Sequence, residues 1–316
     1  MCLCAMTRRS SLALIAAGMV GAVASPTQAM AGRVPLRWRV GDVEITRYWE
    51  LDIGPLEPTE WFPEATPANV AAIPWLHPHF VDAQGRIVLS VASFLVETPT
   101  KRIVVDTGIG RLAAPGFPIL RRADMTPRNA MAGAGYAPGD IDVVVLTHLH
   151  FDHVGGATIL ANQLATPAFP RARYLVTQPE FAYWRAQKAG TFGGKIFADA
   201  VQPIVNARRL DAVSADRQVT PEVRLLSSPG HTPGHVSVHI ASRGHEAVIT
   251  GDMLHHPVQF AYLSPGMDQD QKLGANTRRT LFAQFAERKT LVIGSHFAEP
   301  TAGRVERVGA AYRFVV

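Results

Sequence analysis

The 316-residue chain has almost no cysteine: it holds 2, Cys2 and Cys4, both in the first four positions. Everything downstream therefore lacks a disulfide scaffold, thiolate zinc sites, iron–sulfur clusters and a cysteine nucleophile. Charge is also sparse. Charged residues make up 18% and hydrophobic ones 47%, a balance that excludes a disordered chain and predicts a large buried core. No dense Lys/Arg run occurs, so no nucleic-acid partner is expected. No internal repeat or low-complexity tract is present. Long apolar runs are missing too: the stretch from Leu12 to Ala24 falls short of the about 20 residues that a membrane span requires. What the chain has in number is histidine, with 12. Imidazole is the borderline metal ligand that remains once thiolates are gone.

Residues 1–31 read as an export leader. Thr7-Arg8-Arg9-Ser10 precedes the apolar run, and Ser25-Pro26 with Ala29-Met30-Ala31 follows it, the charged, apolar and A-x-A layout of a signal peptide. Arg8-Arg9 resembles a twin-arginine signal. Ser11-Leu12 fits that motif only in part, which leaves the general secretory route open. An uncleaved anchor is the other reading, and the short apolar run weighs against it. The expectation is an exported protein, periplasmic or secreted, whose mature part spans 32–316 and does not insert into a membrane. Removing the leader lowers the formal charge from +5 to +3, because two arginines leave and no acidic residue goes with them.

The mature region interleaves strand-like and helix-like segments. Strands are predicted over 42–49, 87–91, 94–96, 101–105, 142–146, 173–176, 223–226, 236–240, 247–250 and 291–293. Helices are predicted over 126–136, 178–188 and 276–287. A Pro- and Trp-rich stretch fills 55–80. The interleaving argues for an α/β fold, and no polar linker divides it, so 32–316 reads as one domain.

The chemistry concentrates in Thr147-His148-Leu149-His150-Phe151-Asp152-His153-Val154-Gly155-Gly156. This segment begins where the apolar run Asp142–Leu146 ends. Residues two apart in an extended chain point the same way, so His148 and His150 can face one ion. A turn into a helix then aims Asp152 and His153 at a second. Gly155 and Gly156 permit close packing there. Three imidazoles and a carboxylate within six residues are costly to bury without a purpose, and such clusters mark metal sites. His231, Asp252 and His296 each follow a predicted strand, just after small residues, and can join the same edge.

Together these residues form the pattern HxHxDH, then His, then Asp, then His. The chain from about Asp42 onward resembles the metallo-β-lactamase-fold hydrolases, with the Asp106-Thr107-Gly108 turn and the Gly230-His231-Thr232-Pro233-Gly234-His235 loop. The resemblance implies a four-layer αββα sandwich with the site at one edge of its two sheets. It further implies that His148, His150 and His231 bind one divalent ion, that Asp152, His153 and His296 bind a second, and that Asp252 bridges them. All-N/O ligation suits zinc, so two Zn2+ ions are expected. Paired ions can share a water and lower its pKa from about 15.7 to about 7, giving a bridging hydroxide near neutral pH. Asp152 is the catalytic candidate, placed to orient that hydroxide or pass on its proton. Asp106 and Thr147 either support a ligand ring or cap their own loop. His235 supports a ligand or holds its loop. His239 and His245 are expected to carry no chemistry. His255 and His256 either rim the pocket or lie on a solvated loop, the latter being the commoner setting for loop histidines.

The presence of Asp252 moves the resemblance away from true metallo-β-lactamases. It favours lactonases, esterases, phosphotriesterases and glyoxalase-type thioesterases, with the layout nearest the methyl parathion hydrolase and N-acyl-homoserine lactonase branch. No helical substrate-binding region is legible after His296, which weakens the glyoxalase reading. Phe151, Trp184, Phe260 and Tyr262 are the pocket candidates, and they suit a small, uncharged, partly hydrophobic substrate. Trp61, Phe62, Trp75 and Phe80 can cover the mouth or make a homodimer contact. The expected activity is hydrolysis of a lactone, ester or phosphotriester. The competing readings are a β-lactamase and a non-catalytic periplasmic metal-binding protein of the same fold.

Overall fold

The computed structural model describes residues 34–110, 126–263 and 267–316; the leader read over 1–31 lies outside the described residues. One sheet runs β1 (Leu36–Val40), β2 (Val43–Leu56), β3 (Ile87–Glu97), β4 (Arg102–Val105), β5 (Val143–Val145), β8 (Arg173–Thr177) and β9 (Leu210–Val213) from edge to edge. Between β5 and β8 the chain makes a separate hairpin of β6 (Thr158–Ala161) and β7 (Leu164–Pro167). The other sheet runs β10 (Val223–Ser227), β11 (Val236–Ser242), β12 (His245–Ile249), β13 (Leu291–Ile293), β14 (Ala302–Val308) and β15 (Ala311–Val315). Pairing is parallel from β4 through β5 and β8 to β9, and again between β12 and β13.

The short apolar runs decide this architecture. A strand covered on both faces needs apolar residues at every position. Ile103 and Val105 of β4, with Val143 and Val145 of β5, point between the sheets, where they meet Val238, Ala247 and Ile249. Val104 and Val144 point outward, against Trp184, Ile196 and Ile204 of the helical layer on that side. Val248 and Val292 face the opposite outer layer, built from Leu281, Phe282 and Phe285 of the long helix Gln271–Arg288. The sandwich is αββα, as the resemblance implies.

Several boundaries differ from the sequence reading for physical reasons. The two strands expected over 87–96 are one, because Ala92 and Ser93 stay in register with Trp49 and Tyr48. The helix expected over 276–287 starts earlier, where the Asp270 side chain accepts from the Leu273 N–H at 2.9 Å and caps it. β1, β14 and β15 were not legible, since each carries Arg or Glu along its half-exposed face. The Pro-rich stretch forms short helices, Pro58–Trp61 and Pro67–Ala71, that begin at proline. It buries Phe62 and Phe80 beneath the second sheet, with Trp61 and Trp75 packed against them.

Phe260 is a correction. It was expected in the substrate pocket, but it lies 1% exposed in the core, 4.6 Å from Phe282 and stacked at 5.1 Å on Phe314. Tyr262 leans on the same cluster from the partly buried rim. The short helix Val258–Ala261 turns both toward the second sheet. A Phe260→Ala variant should therefore lose about 3–5 kcal/mol of stability in urea denaturation. Its metal content, measured on the folded protein, should stay that of the wild type.

Candidate metal centre

The loop leaving β5 stays extended through Leu149, which puts His148 and His150 on one side while Leu149 is buried on the other. A one-turn helix, Phe151–Val154, then presents Asp152 and His153. Gly155 and Gly156 follow because nothing larger fits: a Cβ would fall 1.9 Å from the Ile109 carbonyl oxygen at Gly155, and 2.1 Å from that of Thr107 at Gly156. His231 arrives on the loop after β10, Asp252 after β12 and His296 after β13.

These strand ends meet. Ligand atoms of His148, His150, His231 and Asp252 lie within 4.8 Å of one another, as do those of Asp152, His153 and His296. Asp252 stands between the two groups. Its Oδ2 is 3.1 Å from His231 Nε2 and 3.5 Å from His148 Nε2, and its Oδ1 is 3.0 Å from both His153 Nε2 and His296 Nε2. All seven sequence-predicted ligand candidates thus face one cluster.

The ring nitrogens test whether a cation belongs there. His153 Nδ1 is 2.8 Å from Asp106 Oδ2, and His296 Nδ1 is 2.8 Å from the Ser90 carbonyl oxygen. Each Nδ1 must be the protonated nitrogen, because both partners only accept. In the neutral rings each Nε2 then carries a lone pair, and the two lie 3.1 Å apart. His148 behaves alike. Thr147 Oγ1 donates to Asp106 Oδ2 and is left to accept from His148 Nδ1 at 3.1 Å. His148 Nε2 then meets His150 Nδ1 at 3.0 Å, and His150 Nδ1 meets His231 Nε2 at 2.8 Å. Converging lone pairs repel unless a cation lies among them, so the donor set fits divalent metal. Burial works to raise the Asp252 carboxyl, but where the rings of His153, His296 and His148 carry a proton their charge outweighs it and holds the group well below the usual carboxylate range.

Asp106 also accepts from the Thr147 N–H at 2.8 Å, so it fixes ring and loop together. His235 lies beneath the cluster. Its Nε2 accepts from the Asp252 N–H at 2.8 Å and its Nδ1 donates to the Ser228 carbonyl at 3.0 Å. Burial and then the neighbouring His231 lower its pKa to about 3. His235 is therefore a neutral ring that shapes the Asp252 turn. Trp184 stands edge-on to His150 with ring centroids 5.4 Å apart, and half-buried Phe151 packs on Phe192 at 5.8 Å.

The reading of His255 on a solvated loop is overturned. His255 is 4% exposed, with Nε2 3.2 Å from Asp252 Oδ2 and its ring stacked on His296. His256 is buried as well and meets the Phe80 carbonyl at 2.8 Å. The backbone after Asp252 turns inward because Gln259 Oε1 accepts from both histidine N–H groups. His239 pairs with Glu246 at 3.2 Å, away from the cluster.

Among the described residues, three buried carboxylates are not legible in the sequence. Asp268 forms an ion pair with Arg278 and points Oδ1 at His231 Nδ1 from 3.7 Å, too far for a direct hydrogen bond. Glu50 accepts from the N–H groups of Ile109 and Gly110. Glu180 is the most connected. One oxygen accepts from Leu149 N–H and Trp184 Nε1, and the other from Thr232 Oγ1 and Gly234 N–H. It pins the His148–His150 segment to the His231 loop. The pattern Thr177-Gln178-Pro179-Glu180 is that of a helix start whose acid returns to its own cap, which hides this use.

Residues 86–294 match the family described as the Metallo-beta-lactamase superfamily. An N-acyl homoserine lactonase of a Bacillus species is 27% identical over 229 residues, which cover 68% of this chain and 84% of that protein. The acyl-coenzyme A thioesterase MBLAC2 of Gallus gallus is 26% identical over 262 residues, covering 80% and 87%. Among solved structures, AidC, described as a dizinc quorum-quenching lactonase, shares the fold with a TM-score of 0.74. It is 21% identical, over 89% of this chain and 96% of AidC.

Glu180→Ala would strand four buried donors, each at a cost of about 1–3 kcal/mol. Urea denaturation of the metal-free variant should show a loss of at least about 3 kcal/mol. A loss under about 1 kcal/mol would show that the two loops hold their places without this carboxylate.

Proposed function

The chain belongs to the metallo-beta-lactamase superfamily and is a metallo-hydrolase, and from that premise we propose that it opens lactones of the acyl-homoserine type with two zinc ions. The observation that carries the reading is Asp252, whose two oxygens face two separate groups of nitrogen ligands. His148, His150 and His231 would hold one ion, Asp152, His153 and His296 the other, and Asp252 both. Divalent cations bound there supply Lewis acidity and lower the pKa of a ligated water to about 7. Asp152 has the geometry for proton transfer. Its side chain is 16% exposed against 4% for Asp252, with Oδ2 3.6 Å from both His153 Nε2 and His296 Nε2. It can orient the attacking water, take its proton and return one to the leaving alkoxide. Phe151, next to Asp152 in sequence, packs on Phe192, and Trp184 backs His150, apolar surroundings that favour an uncharged acyl group over a charged one. The lactonase relative supports the lactone, and the thioesterase relative makes an acyl thioester the second substrate to try.

A kinetic panel on the zinc-loaded protein decides the substrate class. It should compare an acyl-homoserine lactone, an acyl thioester, an aryl ester, an aryl phosphotriester and a cephalosporin. The lactone should give the highest kcat/KM, and a cephalosporin turned over faster than every other substrate would overturn the reading. Asp152→Asn should lower kcat by about 10²–10⁴-fold. Chelation should abolish turnover and added zinc should restore it, and full activity in Asp252→Ala would end the two-ion mechanism.

A further inference from the structure

We infer that Glu50 is a positioning residue for the Asp152–His153–His296 group, acting from β2 through the loop Asp106–Gly110. The inference rests on the two-ion reading above and extends it to a residue remote in sequence. Trp49 of β2 pairs with Ala92 and Leu51 with the adjacent Val91, so Glu50 is an extra residue, pushed out of the ladder by a bulge. Bulges of this kind re-aim a side chain, often beside active sites. The carboxylate is carried inside, 5% exposed, where Oε2 accepts from the Ile109 N–H at 2.8 Å and Oε1 from the Gly110 N–H at 3.1 Å. Residue 108 makes room for it: a Cβ on Gly108 would lie 2.1 Å from Glu50 Oε2.

The other end of this loop grips His153 twice. Asp106 takes its ring at Nδ1, while the N–H and hydroxyl of Thr107 both donate to its carbonyl oxygen, at 2.7 and 2.8 Å. The Gly108 carbonyl accepts from the Gly156 N–H at 3.0 Å and closes the loop onto the turn after His153. Asp106 itself has a left-handed φ of 55°, a conformation that a non-glycine residue keeps only when its surroundings hold it. Glu50 is the anchor at the far end. A neutral acceptor could fill a turn, but a buried carboxylate also adds negative charge on this side. Burial pushes its carboxyl up to about 7 against the pull of the two N–H donors, and the charge of Asp152 adds to the rise. A cation held by Asp152, His153 and His296 would offset the repulsion between the two carboxylates.

The test is metal binding by the full chain, read by Co2+ titration in visible absorption and by bound zinc after dialysis, with no substrate present. Wild type should bind two ions. Glu50→Ala should weaken the second ion by about 10–100-fold and leave the first within about threefold. Glu50→Gln keeps the shape and one acceptor, so it should fall between the two, and it carries the test if the alanine variant does not fold. Phe260→Ala serves as a control for lost stability alone and should bind both ions normally. Unchanged second-ion affinity in Glu50→Gln would overturn the inference, as would equal loss of both ions or the same loss in Phe260→Ala. A wild type that binds one ion would overturn it too. A wild type that binds two ions and hydrolyses nothing would end the hydrolase reading while leaving Glu50 in its role.

Discussion

An imidazole can offer a lone pair to a metal only if its other nitrogen holds the proton. Much of the structure around this site follows from that constraint. Asp106, Thr147 and the Ser90 carbonyl each occupy the outward nitrogen of one histidine, which leaves the inward nitrogens as bases. Those bases, with the ring nitrogens of His150 and His231 beside them, converge to about hydrogen-bond distance around a single carboxylate, Asp252. With every ring neutral and no cation between them this is a repulsive arrangement buried at low dielectric. The fold must supply enough stability elsewhere to hold it, and metal binding then recovers what the preorganisation costs.

The αββα sandwich does this with parallel strand ends. β4 and β5 pair in parallel, and so do β12 and β13. Their C-terminal ends therefore deliver Asp106, His148, Asp252 and His296 in short loops to one edge. Each of these strands is three to five residues long, and its buried positions are apolar on both faces. Short strands locked between two cores cannot slip in register without moving side chains to the wrong face. The candidate ligands inherit that precision. Where a loop must carry a ligand further from its strand, as with His231, a buried carboxylate supplies the restraint: Glu180 holds Thr232 and Gly234.

The sequence made the first tier of this arrangement legible and concealed the second. His148, His150, Asp152 and His153 sit within six residues, and valine runs announced β4 and β5, so local spacing was enough. Asp252 and His296 are distant, but each follows a buried strand and a small residue, which is a readable signal. Glu180, Glu50 and Asp268 are single acidic residues whose partners, apart from Trp184 of Glu180, lie 10 to 60 positions away. Nothing local separates them from solvated carboxylates. His255 failed for a related reason, since its burial depends on Gln259 turning the backbone inward. Phe260 failed in the opposite direction: proximity to Asp252 in sequence suggested a pocket, while the helix Val258–Ala261 carries it into the core.

Buried acids of this second tier follow one physical rule. A carboxylate excluded from water must be matched by donors or by positive charge. Glu180 is matched by four donors, and Asp268 by Arg278. Glu50 is matched by two backbone N–H groups on the loop that begins with Asp106. It has these two donors against the four of Glu180, and burial raises its carboxyl, with the charge of Asp152 adding to the rise. A cation held by Asp152 and the converging nitrogens would offset the repulsion between these two carboxylates. The charge on Glu50 and the ring tautomers of His153 and His296 thus favour the same occupant, the cation proposed above on the Asp152 side of Asp252.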